Sequence, residues 1–229
     1  KQYVKWIGKN PVSNSDDFYT NESAKSLFKN HINYVLTRKN DLTNKSYAEE
    51  SSILAWDVMN EPRIKGKETS IISPWLTEIT SYIRSLDSTH MITIGTERTI
   101  SNSNEGHTQL CAEKNIDICS VHLYLYDKEK ILFKSSDDVA LFLKNQKAIA
   151  EKEGKPILLQ EFGVSKNTRP YNKEPLVILR DIVSSVNTNG YNGYMVWNWS
   201  VKEDNSFGFS PKGDIKERYD LQDLNYVIR

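Results

Sequence analysis

Five short apolar runs recur along the chain, at 53–59, 91–94, 116–121, 157–160 and 194–199, and between them lie segments whose apolar residues fall three or four apart. Runs this short fit strands, whereas three-or-four spacing marks one face of a helix. The spacing predicts helices over 22–38, 72–86, 137–151 and 175–186, with a further short one from Leu221 onward. Ala24, Leu27, Phe28, Ile32 and Val35 form the apolar face of the first, which Thr20 or Asn21 caps. The second is the clearest, with Ile72, Trp75, Leu76, Ile79, Tyr82, Ile83 and Leu86 in register. Asn189 and Gly190 supply the usual stop chemistry after the fourth. The polar stretch 101–107 reads as a loop.

Strands separated by helices or long crossovers require a parallel sheet covered by helices, which is the α/β class in the form of an open sheet or a (β/α) barrel. No glycine-rich phosphate loop follows any strand, so the nucleotide-binding open sheet loses ground to the barrel. A barrel closes with eight strands, and five are legible. Either the first three precede Lys1 or the fold is not a barrel. No repeat or low-complexity tract interrupts the chain and its loops are too short to act as linkers, so one domain over 1–229 is expected.

The 30 basic and 30 acidic residues cancel. No long-range positive field is available for a phosphate backbone or an anionic membrane surface, which argues against nucleic acid as a partner. The longest apolar runs fall far short of the roughly 20 residues a membrane span needs. Cys111 and Cys119 make neither a disulfide framework nor a zinc site, and free buried thiols are expected. His31, His90 and His107 lack the paired spacing of metal ligands and receive no role. Lys1 opens no visible signal peptide.

The chemistry of a (β/α) barrel sits at the C-terminal ends of its strands. There the chain places Asn60 and Glu61 after 53–59, His122 and Tyr124 after 116–121, Glu161 after 157–160, and Trp197 with Trp199 at the end of the last run. Retaining glycosidic hydrolysis needs two carboxyl groups about 5 Å apart, one protonated to donate to the leaving oxygen and one ionised to attack the anomeric carbon. Glu61 and Glu161 supply such a pair. Taken singly, either glutamate is more ordinarily a helix-terminal or surface charge, His122 a hydrogen-bonded structural histidine and Trp197 a core residue.

The order of the motifs adds what the single residues lack. ILAWDVMNEPR at 53–63 resembles the acid/base strand of glycoside hydrolase family 5, marked by Asn-Glu-Pro at the end of the fourth barrel strand. SVHLY at 120–124 resembles the sixth strand, LLQEFG at 158–163 the nucleophile strand, the seventh, and YMVWNW at 194–199 the eighth. QYVKW at 2–6, VLTRKN at 35–40 and the Arg63 extension of Asn-Glu-Pro look like the endo-β-1,4-mannanase branch.

The resemblance implies a (β/α)8 TIM barrel of which this chain carries about strands 4 to 8, with a further segment supplying strands 1 to 3. It implies Glu61 as acid/base, Glu161 as nucleophile, Asn60 on the 2-hydroxyl of the sugar being cleaved, and Tyr124 hydrogen-bonded to the nucleophile. His122 would line the same subsite, Trp197 would form its floor, and Arg63 would meet sugar on the leaving-group side. Trp6, in the loop after the third strand, is a weaker candidate for sugar contact. The implied reaction is endo-acting hydrolysis of β-1,4-mannan with retention, needing no metal or organic cofactor, in a secreted protein. An endo-β-1,4-glucanase and an exo-β-mannosidase are the alternatives within this chemistry, and a non-catalytic carbohydrate-binding protein the alternative outside it.

Overall fold

The structure is a computed structural model that describes residues 1–11, 13–64, 68–97, 105–127, 130–165 and 170–198. The helix expected from Leu221 and the side chain of Trp199 lie outside the described residues. The chain divides into two compact units, the first running to Cys119 and the second beginning at Ser120.

The first unit contains helices α1 (Gln2–Trp6), α2 (Asp17–Thr20), α3 (Glu22–Thr37), α4 (Glu68–Leu86) and α5 (Glu105–Cys111), with strands β1 (Ala55–Asn60) and β2 (Met91–Gly95). Asn21 caps α3, its side chain accepting from the amides of Ser23 at 3.0 Å and Ala24 at 3.2 Å. Helix α4 begins earlier than the apolar spacing indicates, so Pro74 lies inside it rather than in its first turn. Trp75, nearly inaccessible, collects an aromatic cluster. Phe28 stacks on it at a centroid distance of 5.9 Å, and Tyr19 and Phe18 approach at 5.2 and 5.7 Å. These contacts hold α2, a helix too short to persist without packing.

Strands β1 and β2 pair in parallel, Ala55 with Met91 and Asn60 with Gly95, with a register shift between Asp57 and Asn60. The run 53–59 suggests a buried strand, yet none of the six residues of β1 is buried. Among the described residues β1 has a ladder partner on one edge only. The Asp57 carboxylate spans the irregularity, accepting from the Gly95 amide at 3.2 Å and the Met59 amide at 3.3 Å.

Two further sequence expectations need correction. The strand expected over 116–121 is β3 (Cys119–Tyr124), displaced toward its C-terminal end. The amides of Asp117 and Ile118 converge on one carbonyl, that of Ile92, while the Asp117 carboxylate accepts from the Ile92 amide at 2.7 Å. Side chain and backbone together thus replace a regular ladder. Cys111 and Cys119 are joined in a disulfide, not free. Helix α5, formed partly from the stretch expected to be a loop, brings their Cα atoms to 5.1 Å, and both residues are buried.

The second unit holds a three-stranded sheet in the order β3, β6 (Ile157–Gly163), β7 (Gly193–Val196), a two-stranded hairpin of β4 (Tyr126–Asp127) and β5 (Lys130–Ile131), and helices α6 (Ser136–Lys152) and α7 (Pro175–Thr188). Ser135 caps α6 through the Asp138 amide, and Gly190, at φ 68, ends α7 in the left-handed region that favours glycine. Strands β6 and β7 run parallel, and their register shifts between Leu159 and Phe162. Val139, Leu143, Ile178, Leu179, Ile182 and Val183 are buried, as the apolar spacing of the two helices requires. Among the described residues no helix is long and apolar enough to cross a membrane.

Two expectations follow for stability. Burial of His107, neither of whose ring nitrogens has a hydrogen-bond partner among the described residues, pushes its pKa down to about 4. The unfolded chain then binds a proton near pH 6.5 that the folded chain refuses until about pH 4. Stability should therefore fall by about 3 kcal/mol as pH drops through that window. In denaturant titrations between pH 7 and 4, His107→Leu should remove that part of the slope. The Cys111–Cys119 bond closes a short loop, and replacing both residues by alanine should cost about 2.5 kcal/mol on loop-closure grounds, read as a lower Tm.

Candidate active site

In the first unit the candidate residues stand at the end of β1. The amide of Glu61 donates to the carbonyl of Gly95 at 2.9 Å, extending the pairing by one bond beyond the strand. Glu61 itself has φ 48, a conformation that costs a non-glycine residue and concentrates at functional positions. Pro62 follows and is buried. The Arg63 amide then donates to the Tyr19 hydroxyl at 3.2 Å, so α2 fixes the path of the Asn-Glu-Pro-Arg segment. Burial pushes the Tyr19 hydroxyl up to about 12, against the opposing effect of that amide, and it stays neutral.

The side chains at this strand end form a line. Arg63 Nη2 lies 3.4 Å from Glu61 Oε2 and forms a close ion pair with Glu97 Oε2. Arg63 is 60% exposed, Glu61 23% and Glu97 only 10%. Asn60 is exposed at the strand terminus, and Trp6, at the end of α1 rather than in a loop, is exposed as well.

In the second unit, His122 and Tyr124 alternate along β3 while Glu161 belongs to β6. Glu161 is not placed after its strand but inside it, at the register shift between Leu159 and Phe162. An irregularity of this kind breaks the alternation of side chains and re-aims one of them. The Tyr124 hydroxyl donates to Glu161 Oε2 at 2.9 Å. The buried His122 sets Nδ1 3.5 Å from the same oxygen and Nε2 3.4 Å from Gln160 Oε1. Trp197, 45% exposed, follows β7, and its amide donates to the Phe162 carbonyl at 2.8 Å, next to Glu161 in sequence. A half-exposed indole anchored by its backbone offers a flat apolar surface of the kind a sugar ring stacks on.

Glu97, Tyr19 and Gln160 are absent from the sequence candidates. Glu97 follows β2 as Glu61 follows β1, so the strand-end rule applied to 91–94 reaches it. Nothing in the sequence near Tyr19 signals its contact with Arg63, which sequence separation hides.

The chain is similar to a tomato (Solanum lycopersicum) protein, mannan endo-1,4-beta-mannosidase 5, with 31% identity over 224 residues covering 86% of this chain and 53% of the relative. It spans about half the length of that curated relative. Its fold matches the X-ray structure of the endo-beta-1,4-mannanase from Thermotoga petrophila with a TM-score of 0.84 at 23% identity, covering 100% of this chain and 56% of the other. An endo-1,4-beta-mannanase from Rhizomucor miehei gives a TM-score of 0.82 at 24% identity, over 97% of this chain and 66% of the other. The fold class is accordingly the α/β (β/α)8 TIM barrel, with five of its strands (β1, β2, β3, β6 and β7) among the described residues. The family profile described as GH family 5 beta-mannosidase-like matches residues 2–199, and the chain belongs to that group of glycoside hydrolase family 5.

Proposed function

We propose that the full-length protein hydrolyses internal β-1,4-mannosidic bonds of mannan-type polysaccharides with retention, Glu161 acting as nucleophile and Glu61 as acid/base. The observation that carries this reading is the environment of Glu161. Its carboxylate sits at a break in β6 with one oxygen engaged by the Tyr124 hydroxyl at 2.9 Å, which fixes the direction in which the other is presented. Family membership and the relatives named as mannan endo-1,4-beta-mannosidases support the substrate class.

In the first step Glu161 attacks the anomeric carbon while the Glu61 carboxyl gives its proton to the departing glycosidic oxygen. In the second, water attacks the anomeric carbon while Glu61 as base takes its proton, and the bond to Glu161 breaks to free the sugar. The negative charge of Glu161 helps keep Glu61 protonated until the glycosyl ester forms, after which the repulsion vanishes and Glu61 ionises readily. Asn60 binds the 2-hydroxyl, Trp197 and His122 line the subsite of the cleaved sugar, and Arg63 meets the leaving-group side. No metal or organic cofactor enters either step. An extracellular location accompanies this proposal, supported by the Cys111–Cys119 bond, since structural disulfides persist in oxidising compartments.

The assay is reducing-sugar release from mannan by full-length protein, with products sized by chromatography. Glu161→Ala should lose several orders of magnitude on every substrate, because the covalent route is removed. Glu61→Ala should lose mannan cleavage but keep much of its kcat/KM on aryl mannosides whose leaving groups need no proton, with kcat lowered because the second step has lost its base. Full activity in either variant would contradict the assignment, greater activity on carboxymethylcellulose would favour a glucanase, and mannose as the sole early product would favour exo action.

A further inference from the structure

Glu97 has no part in the mechanism above, yet it carries the closest ion pair at the end of β2. Its carboxylate is nine-tenths buried and bound to the guanidinium of Arg63, whose own side chain is mostly in water. The same guanidinium nitrogen stands farther from Glu61, at 3.4 Å. Of the two acidic partners it is therefore Glu97 that anchors Arg63. The backbone reinforces the arrangement. The Glu61 amide is tied to the Gly95 carbonyl, two residues before Glu97, and the Arg63 amide to the hydroxyl of Tyr19.

An arginine beside a proton donor poses a chemical problem. An uncompensated guanidinium a few ångströms from a carboxyl group favours the ionised form, which cannot protonate a leaving oxygen. A buried carboxylate bound to the same guanidinium nitrogen neutralises it and restrains its position. We infer that Glu97 is a positioning residue for the acid/base step, holding Arg63 so that it orients the Glu61 carboxyl without suppressing its protonated state. The inference rests on the reading of Glu61 as acid/base. Among the described residues of its own unit, Arg63 from the same segment contacts Glu61, Glu97 from the end of β2 holds Arg63, Asp57 at the β1 irregularity takes the Gly95 and Met59 amides, and Tyr19 from α2 takes the Arg63 amide. Glu161, with His122 and Tyr124 beside it, is the group that the double displacement sets on the opposite side of the glycosidic bond.

The test is the pH dependence of kcat/KM on a mannooligosaccharide, whose leaving group needs a proton, for full-length wild type, Glu97→Gln, Arg63→Met and the double variant. The basic limb reports loss of the Glu61 proton. With Arg63 left uncompensated, Glu97→Gln should move that limb to lower pH by about half a unit to one unit, a shift limited by the exposure of Arg63. In the Arg63→Met background only the direct effect of removing the Glu97 charge remains, so the same substitution should move it clearly less. An unchanged limb in Glu97→Gln, or an equal shift in both backgrounds, would overturn the inference. The second outcome would make Glu97 a direct electrostatic neighbour and not an anchor. If Glu97→Gln does not fold, Glu97→Asp withdraws the anchor by one methylene and should shift the limb in the same direction. Carbon-13 NMR titration of the Glu61 carboxyl, assigned with Glu61→Gln, reads the same shift without substrate. A wild-type protein inactive on mannan would therefore refute the proposed function, while the titration still decides the role of Glu97.

Discussion

The hydrogen bond from the Glu61 amide to the Gly95 carbonyl fixes the strand end that carries Glu61. It carries the β1–β2 pairing one residue past the strand, holds Glu61 in a conformation that a free chain would leave, and sets the approach to Pro62 and Arg63. Asp57 makes it possible, because its carboxylate takes the amides of Gly95 and Met59 where the register slips. Tyr19, held by packing on Trp75, then receives the Arg63 amide. The aromatic cluster under α2 and the polar line of Glu61, Arg63 and Glu97 are thereby parts of one construction.

The second unit applies the same device to a different strand. Each candidate glutamate lies beside a shift in a parallel ladder, between Asp57 and Asn60 in β1 and between Leu159 and Phe162 in β6. A regular strand alternates its side chains between two faces and offers little choice over where a carboxylate points. A local irregularity re-aims one residue at small cost to the sheet, and the side chains nearby complete the orientation. For Glu161 those side chains are Tyr124 and His122 from the neighbouring strand.

The parts of the fold legible in the sequence are those whose energetics are written in periodicity. Helices α3, α4, α6 and α7 bury long apolar faces, and their bounds follow from the spacing of those residues within a few positions. Helices α1, α2 and α5 are not legible, because one or two turns show too little periodicity and persist through packing such as Phe18 and Tyr19 on Trp75. The disulfide is hidden with α5, since that helix brings Cys111 to the start of β3. At the site, Asn60, Glu61, His122, Tyr124, Glu161 and Trp197 were visible as polar or aromatic residues closing apolar runs, and their order gave the resemblance to family 5. Glu97 obeys the same rule but is separated from β2 by Thr96, and its partner Arg63 lies 34 positions away. A pairing of that separation is created by the fold.

The central claim is that Glu161 forms a covalent bond to the sugar. A 2-deoxy-2-fluoro-β-mannosyl fluoride slows both steps by destabilising the oxocarbenium-like transition states, and its good leaving group lets the ester accumulate. Intact-mass spectrometry of the full-length protein after incubation with this reagent should show addition of one fluoromannosyl unit, and peptide mapping should place it on Glu161. Labelling at Glu61 or another residue, or rapid turnover of unmodified mannan by a protein that never takes up the label, would contradict the account.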